Sequence, residues 1–181
     1  MPTNYFNGGR PEVKNEHPGH SQIVYVAPVR WFDTIADVVG TMGADAVSIT
    51  DDHTFIAAGV NKEPGGGFIE LYCTPNTVQS SGANSGDAGS LVAVYKKQMF
   101  LPGDAPEMQQ MLEKLKNEDL IVLLQDPISG KYTQYGNAIV QSHFDKCDPV
   151  SGGLNSGKKG WNLELSSPNR YFYNGAVTVM A

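Results

Sequence analysis

The sequence predicts a mainly β fold, a β-sandwich or partly closed antiparallel barrel, with one flanking α-helix. Three observations carry this expectation. Short apolar or alternating runs recur between turn residues, and 20 glycines and 11 prolines in 181 residues suit many strands joined by turns. Met108, Met111, Leu112 and Leu115 fall at i, i+3, i+4 and i+7, a single apolar stripe that defines a helix at about residues 105–117. Leu120 to Leu124 has no polar interruption, so that strand is expected to be covered on both faces.

Residues 1–22 hold little apolar material and include Pro2, Pro11 and Pro18. They read as an extended N-terminal arm that is unstructured alone or lies on a neighbour. Residues 23–181 read as one β-rich domain, long enough for a substantial core. Ile23 to Ala27 is its first strand, stopped by Pro28. Trp31 to Val39 has helical spacing but β-branched content, and reads as a short helix or turn, with a strand also permitted. Ala46–Ile49 and Thr54–Ala58 are short strands around the polar turn Thr50-Asp51-Asp52-His53, and Gly65-Gly66-Gly67 leads into Phe68–Thr74.

A Ser/Asn/Gly-rich long loop is expected at about residues 75–90. Leu91–Leu101 is a long strand and the one expected to mediate strand pairing between copies. Asp104 and Glu107 have capping-box spacing, with Pro106 in the first helical turn. Asp126 to Gly130 is turn chemistry before a strand at Tyr132–Tyr135. Ala138–Phe144 is expected as a strand, Asp145–Gly157 as a polar connection, and Trp161, Leu163 and Leu165 as the buried side of an alternating strand. Gly175–Met180 closes the domain, and no internal repeat is present.

Net charge is −6, unevenly spread. From Asp33 to Asp87 the acids are Asp33, Asp37, Asp45, Asp51, Asp52, Glu63, Glu70 and Asp87, against Lys62 alone. From Lys131 onward five bases face three acids. That asymmetry argues against a basic nucleic-acid grip and permits a head-to-tail contact between copies as readily as plain solvated surface. No stretch approaches the ~18 apolar residues of a membrane span, and no basic-then-apolar leader opens the sequence. Cys73 and Cys147 are expected as two free thiols.

No constellation of catalytic, cofactor-binding or metal-binding residues emerges. His17 and His20 flank a Pro-Gly turn without a neighbouring carboxylate or thiol, and His143 with Cys147 supplies only two ligands. Asp51, Asp52 and His53 read as a hairpin tip, since adjacent strand residues face opposite ways. Gly65–Gly67, Ser129-Gly130-Lys131 and Ser156-Gly157-Lys158 lack the spacing of a phosphate loop. Tyr171-Phe172-Tyr173 beside Arg170 reads first as core packing or an intersubunit anchor, and only then as a base-stacking platform. The chain is expected not to be an enzyme and to need no cofactor.

The second half resembles phage tail-tube proteins and related ring proteins of the phage neck or tail. The resemblance lies in the helix Pro106–Lys116, then NEDLIVLLQD, SGKYTQYGN, SGGLNSGKKGW, NLELSSP and YFYNGAVTV, in that order. It implies a tail-tube-like β-domain with a flanking helix and a virion structural role, with assembly in the host cytoplasm. Its implied partners are copies of itself in six-fold or twelve-fold rings, neighbouring tail or neck proteins, and transiently passing DNA. On that reading the arm and the 75–90 loop reach adjacent rings, and part of the Asp33–Asp87 acidic set faces the channel. The alternative is a monomeric or trimeric capsid decoration or adhesion domain that binds a partner through its loops.

Overall fold

The computed structural model describes residues 21–38, 48–57, 66–85, 92–127, 129–151 and 157–180. Those residues form mainly β structure with one α-helix. The strands are β1 (Ile23–Pro28), β2 (Phe32–Thr34), β3 (Ser48–Ile49), β4 (Thr54–Phe55), β5 (Ile69–Tyr72), β6 (Gln79–Ser85) and β7 (Val92–Pro102). After α1 (Pro106–Leu115) follow β8 (Leu120–Gln125), β9 (Tyr132–Tyr135), β10 (His143–Val150), β11 (Gly160–Ser167) and β12 (Arg170–Tyr173). One sheet has the order β3-β12-β9-β8-β1-β5, a second β10-β11-β7-β6, and β2 pairs with β4 alone. Most of the expected N-terminal arm, residues 1–20, lies outside the described residues, as do His17 and His20.

The six-stranded sheet is built around β8, whose Leu120 to Leu124 are at most 1% exposed. Alternate side chains of β8 point to opposite faces, so such uniform burial requires cover on both sides. One face meets the four-stranded sheet, where Tyr95 of β7 packs on Tyr135 of β9. The other meets the segment around β2 and β4, through the His53 ring stacked on Tyr173. Helix α1 adds Met108, Met111, Leu112 and Leu115 to this core, the stripe that its spacing predicts.

Several expectations need correction. The long loop at about 75–90 contains β6, a hairpin partner of β7 from Gln79↔Gln98 to Ser85↔Val92. Residues Gln79 to Asn84 are exposed; an edge strand needs only a backbone ladder, so composition misled. Residues 86–91 lie outside the described residues. The long strand is not an edge: β7 pairs with β6 on one side and β11 on the other. The edges of that sheet are β6 and β10.

Asp104 does not cap the helix. Ala105 occupies the cap position with no side-chain bond, because Pro106 begins the helix and leaves Asp104 one residue too early. Asp104 instead pairs with Lys159. Residues 29–34 form a short 3-10 turn and then β2, so the turn and the strand left open for Trp31–Val39 both occur there. The expected strand at Ala138–Phe144 is displaced. Asn137 Oδ1 accepts from the N–H groups of Ile139 (2.9 Å) and Val140 (2.7 Å), bending the chain, and β10 occupies much of the predicted connection.

Candidate functional site

The four-stranded sheet separates its residues by parity. Tyr95, Lys97, Met99 and Leu101 of β7, with Trp161, Leu163 and Leu165 of β11, share the covered face, and most are buried. Lys96, Gln98, Asn162, Glu164, Lys146 and Asp148 share the outer face. There Lys96 Nζ meets Glu164 Oε1 at 3.1 Å and Asp145 Oδ2 at 3.7 Å. Gln98 Nε2 donates to Glu164 Oε2 at 3.2 Å, and Lys146 approaches the same oxygen at 4.0 Å. The Ser166 hydroxyl donates to Asp145 Oδ1 at 2.8 Å.

The hydrogen bond with Lys96 holds the Glu164 carboxyl below its usual range, and the same bond holds the Lys96 amine above its own. Both groups therefore stay charged at neutral pH. An open trough of about 530 Å³ runs along this face past Asn76, Gln79, Gln98, Asn162 and Lys158. Lys96, Lys146 and Lys158 are matched by Asp145, Asp148 and Glu164 on or beside it. Phe100 and Val150 lie among these groups, so the surface mixes amides, apolar side chains and charges that are close to balanced.

The two edges of this sheet differ. β10 carries His143, Asp145, Lys146 and Asp148, and Pro149 withholds a backbone donor. Charges and proline guard an edge strand against indiscriminate pairing and narrow the partners it accepts. β6, with the sequence QSSGANS, has neither. Among the described residues, no strand pairs with its outer side.

Residues singled out in the sequence divide differently in space. His53 is not at a hairpin tip: β3 and β4 belong to separate sheets, and the His53 side chain is drawn inside by an aromatic group. Its Nδ1 accepts from the Ala36 N–H at 3.0 Å and its Nε2 donates to Gln134 Oε1 at 2.7 Å. Gln134 Nε2 then donates to the Gly136 carbonyl at 2.9 Å. Gly136 has φ of 85°, and a Cβ there would stand 2.8 Å from the Leu120 carbonyl oxygen. The Tyr173 hydroxyl donates to the Ala176 carbonyl at 2.8 Å, and Asp52 Oδ1 accepts the Ala176 N–H at 2.6 Å. Burial lowers the basicity of the His53 ring. This network fastens the β2–β4 segment and the C-terminal stretch to the large sheet, each polar group finding a partner.

His143 faces Asp119 at 3.4 Å, whereas Cys147 is half-buried. No group of three or more His, Cys, Asp or Glu residues suited to a metal occurs among the described residues. Cys73 and Cys147 are free, and burial pushes their thiols up to about 12 and about 11. Neither is an activated nucleophile. Tyr173 belongs to the core, Tyr171 accepts a bond from Asn137 Nδ2 at 3.0 Å, and Phe172 is exposed. Ser129-Gly130-Lys131 belongs to a turn closed by Gly130 N–H donating to the Asp126 carbonyl at 2.8 Å.

Lys97 is the residue the sequence reading missed. It is 2% exposed, with Nζ 3.9 Å from the Tyr135 ring centre and 5.8 Å from that of Tyr95. The available signal was parity: Lys97 alternates with Tyr95, Met99 and Leu101 on the covered side. Burial, then the nearby Arg170 charge, push its amine down to about 8. No protein-family model, curated protein or solved structure matches this chain significantly. The chemistry of the sheet faces and edges therefore carries the functional reading.

Proposed function

We propose that this chain is a virion structural protein whose copies form stacked rings of a phage tail tube or tail/neck conduit through which DNA passes. The observation that carries the reading is the four-stranded sheet, whose outer face is nearly neutral in charge and whose two edges are unpaired among the described residues. Copies joined β6 to β10 would extend this sheet around a ring and satisfy backbone groups that the lone subunit exposes. A channel surface of amides and matched charges offers a phosphate backbone few net cations to hold, so a duplex would slide instead of binding. On this reading the outer sheet face, rather than the Asp33–Asp87 acidic set, lines the channel. The role is architectural and the setting is the assembled virion.

Electron micrographs and light scattering of the purified chain test it, with rings or tubes expected as concentration rises. Ala83→Lys puts a charge on the undefended β6 edge. Assembly should be abolished, while the subunit's stability changes by no more than about 0.5 kcal/mol, as for other surface substitutions. A wild-type chain that stays monomeric at every concentration overturns the proposal.

The second reading, a capsid decoration or adhesion domain, is favoured by one feature. Ile139 is 85% exposed and Val140 38% exposed on the bend that Asn137 fixes, a preorganised apolar tip. Discrete monomers or trimers whose capsid binding is lost in Ile139→Ser would favour that reading.

A further inference from the structure

We infer that Arg170 and Phe172, backed by the Lys97 ammonium, form a receptor for a carboxylate side chain from a second copy of this chain. The inference rests on the assembly reading and supplies a contact that reading does not contain.

β12 lies next to the outermost strand, β3, of the six-stranded sheet. Arg170 pairs with Tyr135 and Phe172 with Thr133, so Arg170 and Phe172 share the face that carries the Tyr135 ring. Lys97 stands over that ring from the opposing sheet. Among the described residues its one hydrogen bond, to the Lys96 carbonyl, is 3.3 Å long, which leaves two of its three donors without a described partner. Among the described residues, no carboxylate lies within ion-pair distance of Lys97 or Arg170. Among the described residues, the Tyr95 and Tyr135 rings lie beside Lys97, and Arg170, paired from β12 with Tyr135, is the nearby charge that acts on it. Two cations over an aromatic floor lack an anion, and their mutual repulsion already costs Lys97 part of its basicity.

The approach to these cations has the chemistry of an interface centre. Phe172 is 42% exposed, and the Arg170 guanidinium carbon lies 5.9 Å from its ring centre. Arginine and aromatic side chains dominate the energetics of protein contacts. Charge complementarity selects the occupant. Asp33, Asp37 and Asp51 are exposed, and no described cation comes within ion-pair distance of them. The chain thus offers unmatched acids in one region and unmatched cations in another, a contact that two copies can complete.

The test is charge reversal with rescue. Arg170→Glu should raise the concentration needed for assembly at least about tenfold, by sedimentation velocity, as loss of a close interfacial charge pair does. The melting temperature of the isolated subunit should not fall, because Arg170 is exposed and its replacement relieves the repulsion of Lys97. Adding Asp33→Arg, Asp37→Arg or Asp51→Arg to Arg170→Glu should restore assembly in one of the three cases and so identify the acid. Failure of all three overturns the inference. So does unchanged assembly of Arg170→Glu, or a fall in melting temperature alone, which would assign the anion to the same copy. Arg170→Glu that assembles normally but loses binding to a short DNA duplex would assign the site to phosphate and equally overturn it. If the wild type never assembles, the ring reading itself falls. If wild type and variant assemble alike, only this contact falls.

Discussion

The central strands of the two large sheets differ in exposure. β8, at the centre of the six-stranded sheet, is apolar on both sides and sealed on both sides. β11, inside the four-stranded sheet, alternates, and only its Trp161, Leu163 and Leu165 side is fully covered. The difference separates what holds the subunit together from what it offers to others. Stability is concentrated around β8, where neither face is free, and surface chemistry on the open side of β11 and at the β12 margin.

The sharpest way to break that contrast is to truncate each strand at one position. Leu123→Ala removes a side chain with 0% exposure and should cost about 3–4 kcal/mol, the range for leucine truncation in tightly packed cores. Asn162→Ala, on the exposed side of β11, should stay within about 0.5 kcal/mol. Urea denaturation of both variants measures the gap. Similar losses would mean that the outer face is structural after all.

A smaller effect is expected where the large sheet holds the β2–β4 segment. Gln134→Ala leaves the His53 Nε2–H and the Gly136 carbonyl unpaired and should cost about 2 kcal/mol, the usual penalty for an orphaned buried group. The same site sets an acid dependence. The folded His53 takes a proton less readily than the unfolded one, because burial opposes the charge and Nδ1 is already accepting from Ala36. Below the ordinary histidine value of 6.5 the unfolded state binds the extra proton, so stability falls as pH drops through that point. Melting curves between pH 7.5 and 5 (an interval spanning roughly the histidine range) should follow this slope in the wild type and flatten in His53→Gln.

The smallest effect should have the opposite sign. Lys97→Met keeps the packing volume and removes a charge that burial disfavours, so it should stabilise the subunit by about 1 kcal/mol at neutral pH. The lowered lysine value has a matching pH signature. Between about 8 and the ordinary 10.5 the unfolded chain carries the proton that the folded chain has released, so wild-type stability should rise with pH across that window. Loss of stability in Lys97→Met at neutral pH would mean that the ammonium holds a partner its contacts do not reveal.

Much of this fold was legible because periodicity reports burial directly. The helical stripe at Met108, Met111, Leu112 and Leu115, the apolar run of β8 and the alternation of β11 each mark which faces are covered. β6 was illegible for the converse reason. An edge strand with both faces exposed has no apolar pattern, and only the backbone ladder to β7 defines it. Local rules also failed where a remote partner took over, as with Asp104, claimed by Lys159, and His53, claimed by Gln134 and Tyr173. The functional surface was partly readable. Alternation in β11 exposes the polar face, but the pairing that brings Lys96, Asp145 and Glu164 together joins residues far apart in sequence.

The inequality between plain β6 and charged, proline-bearing β10 gives the subunit a front and a back. On the proposed assembly, a joint between unlike borders would have a direction, so copies added through it would turn the same way each time. The angle between successive copies alone then decides whether the series meets its own beginning or winds on as a helix.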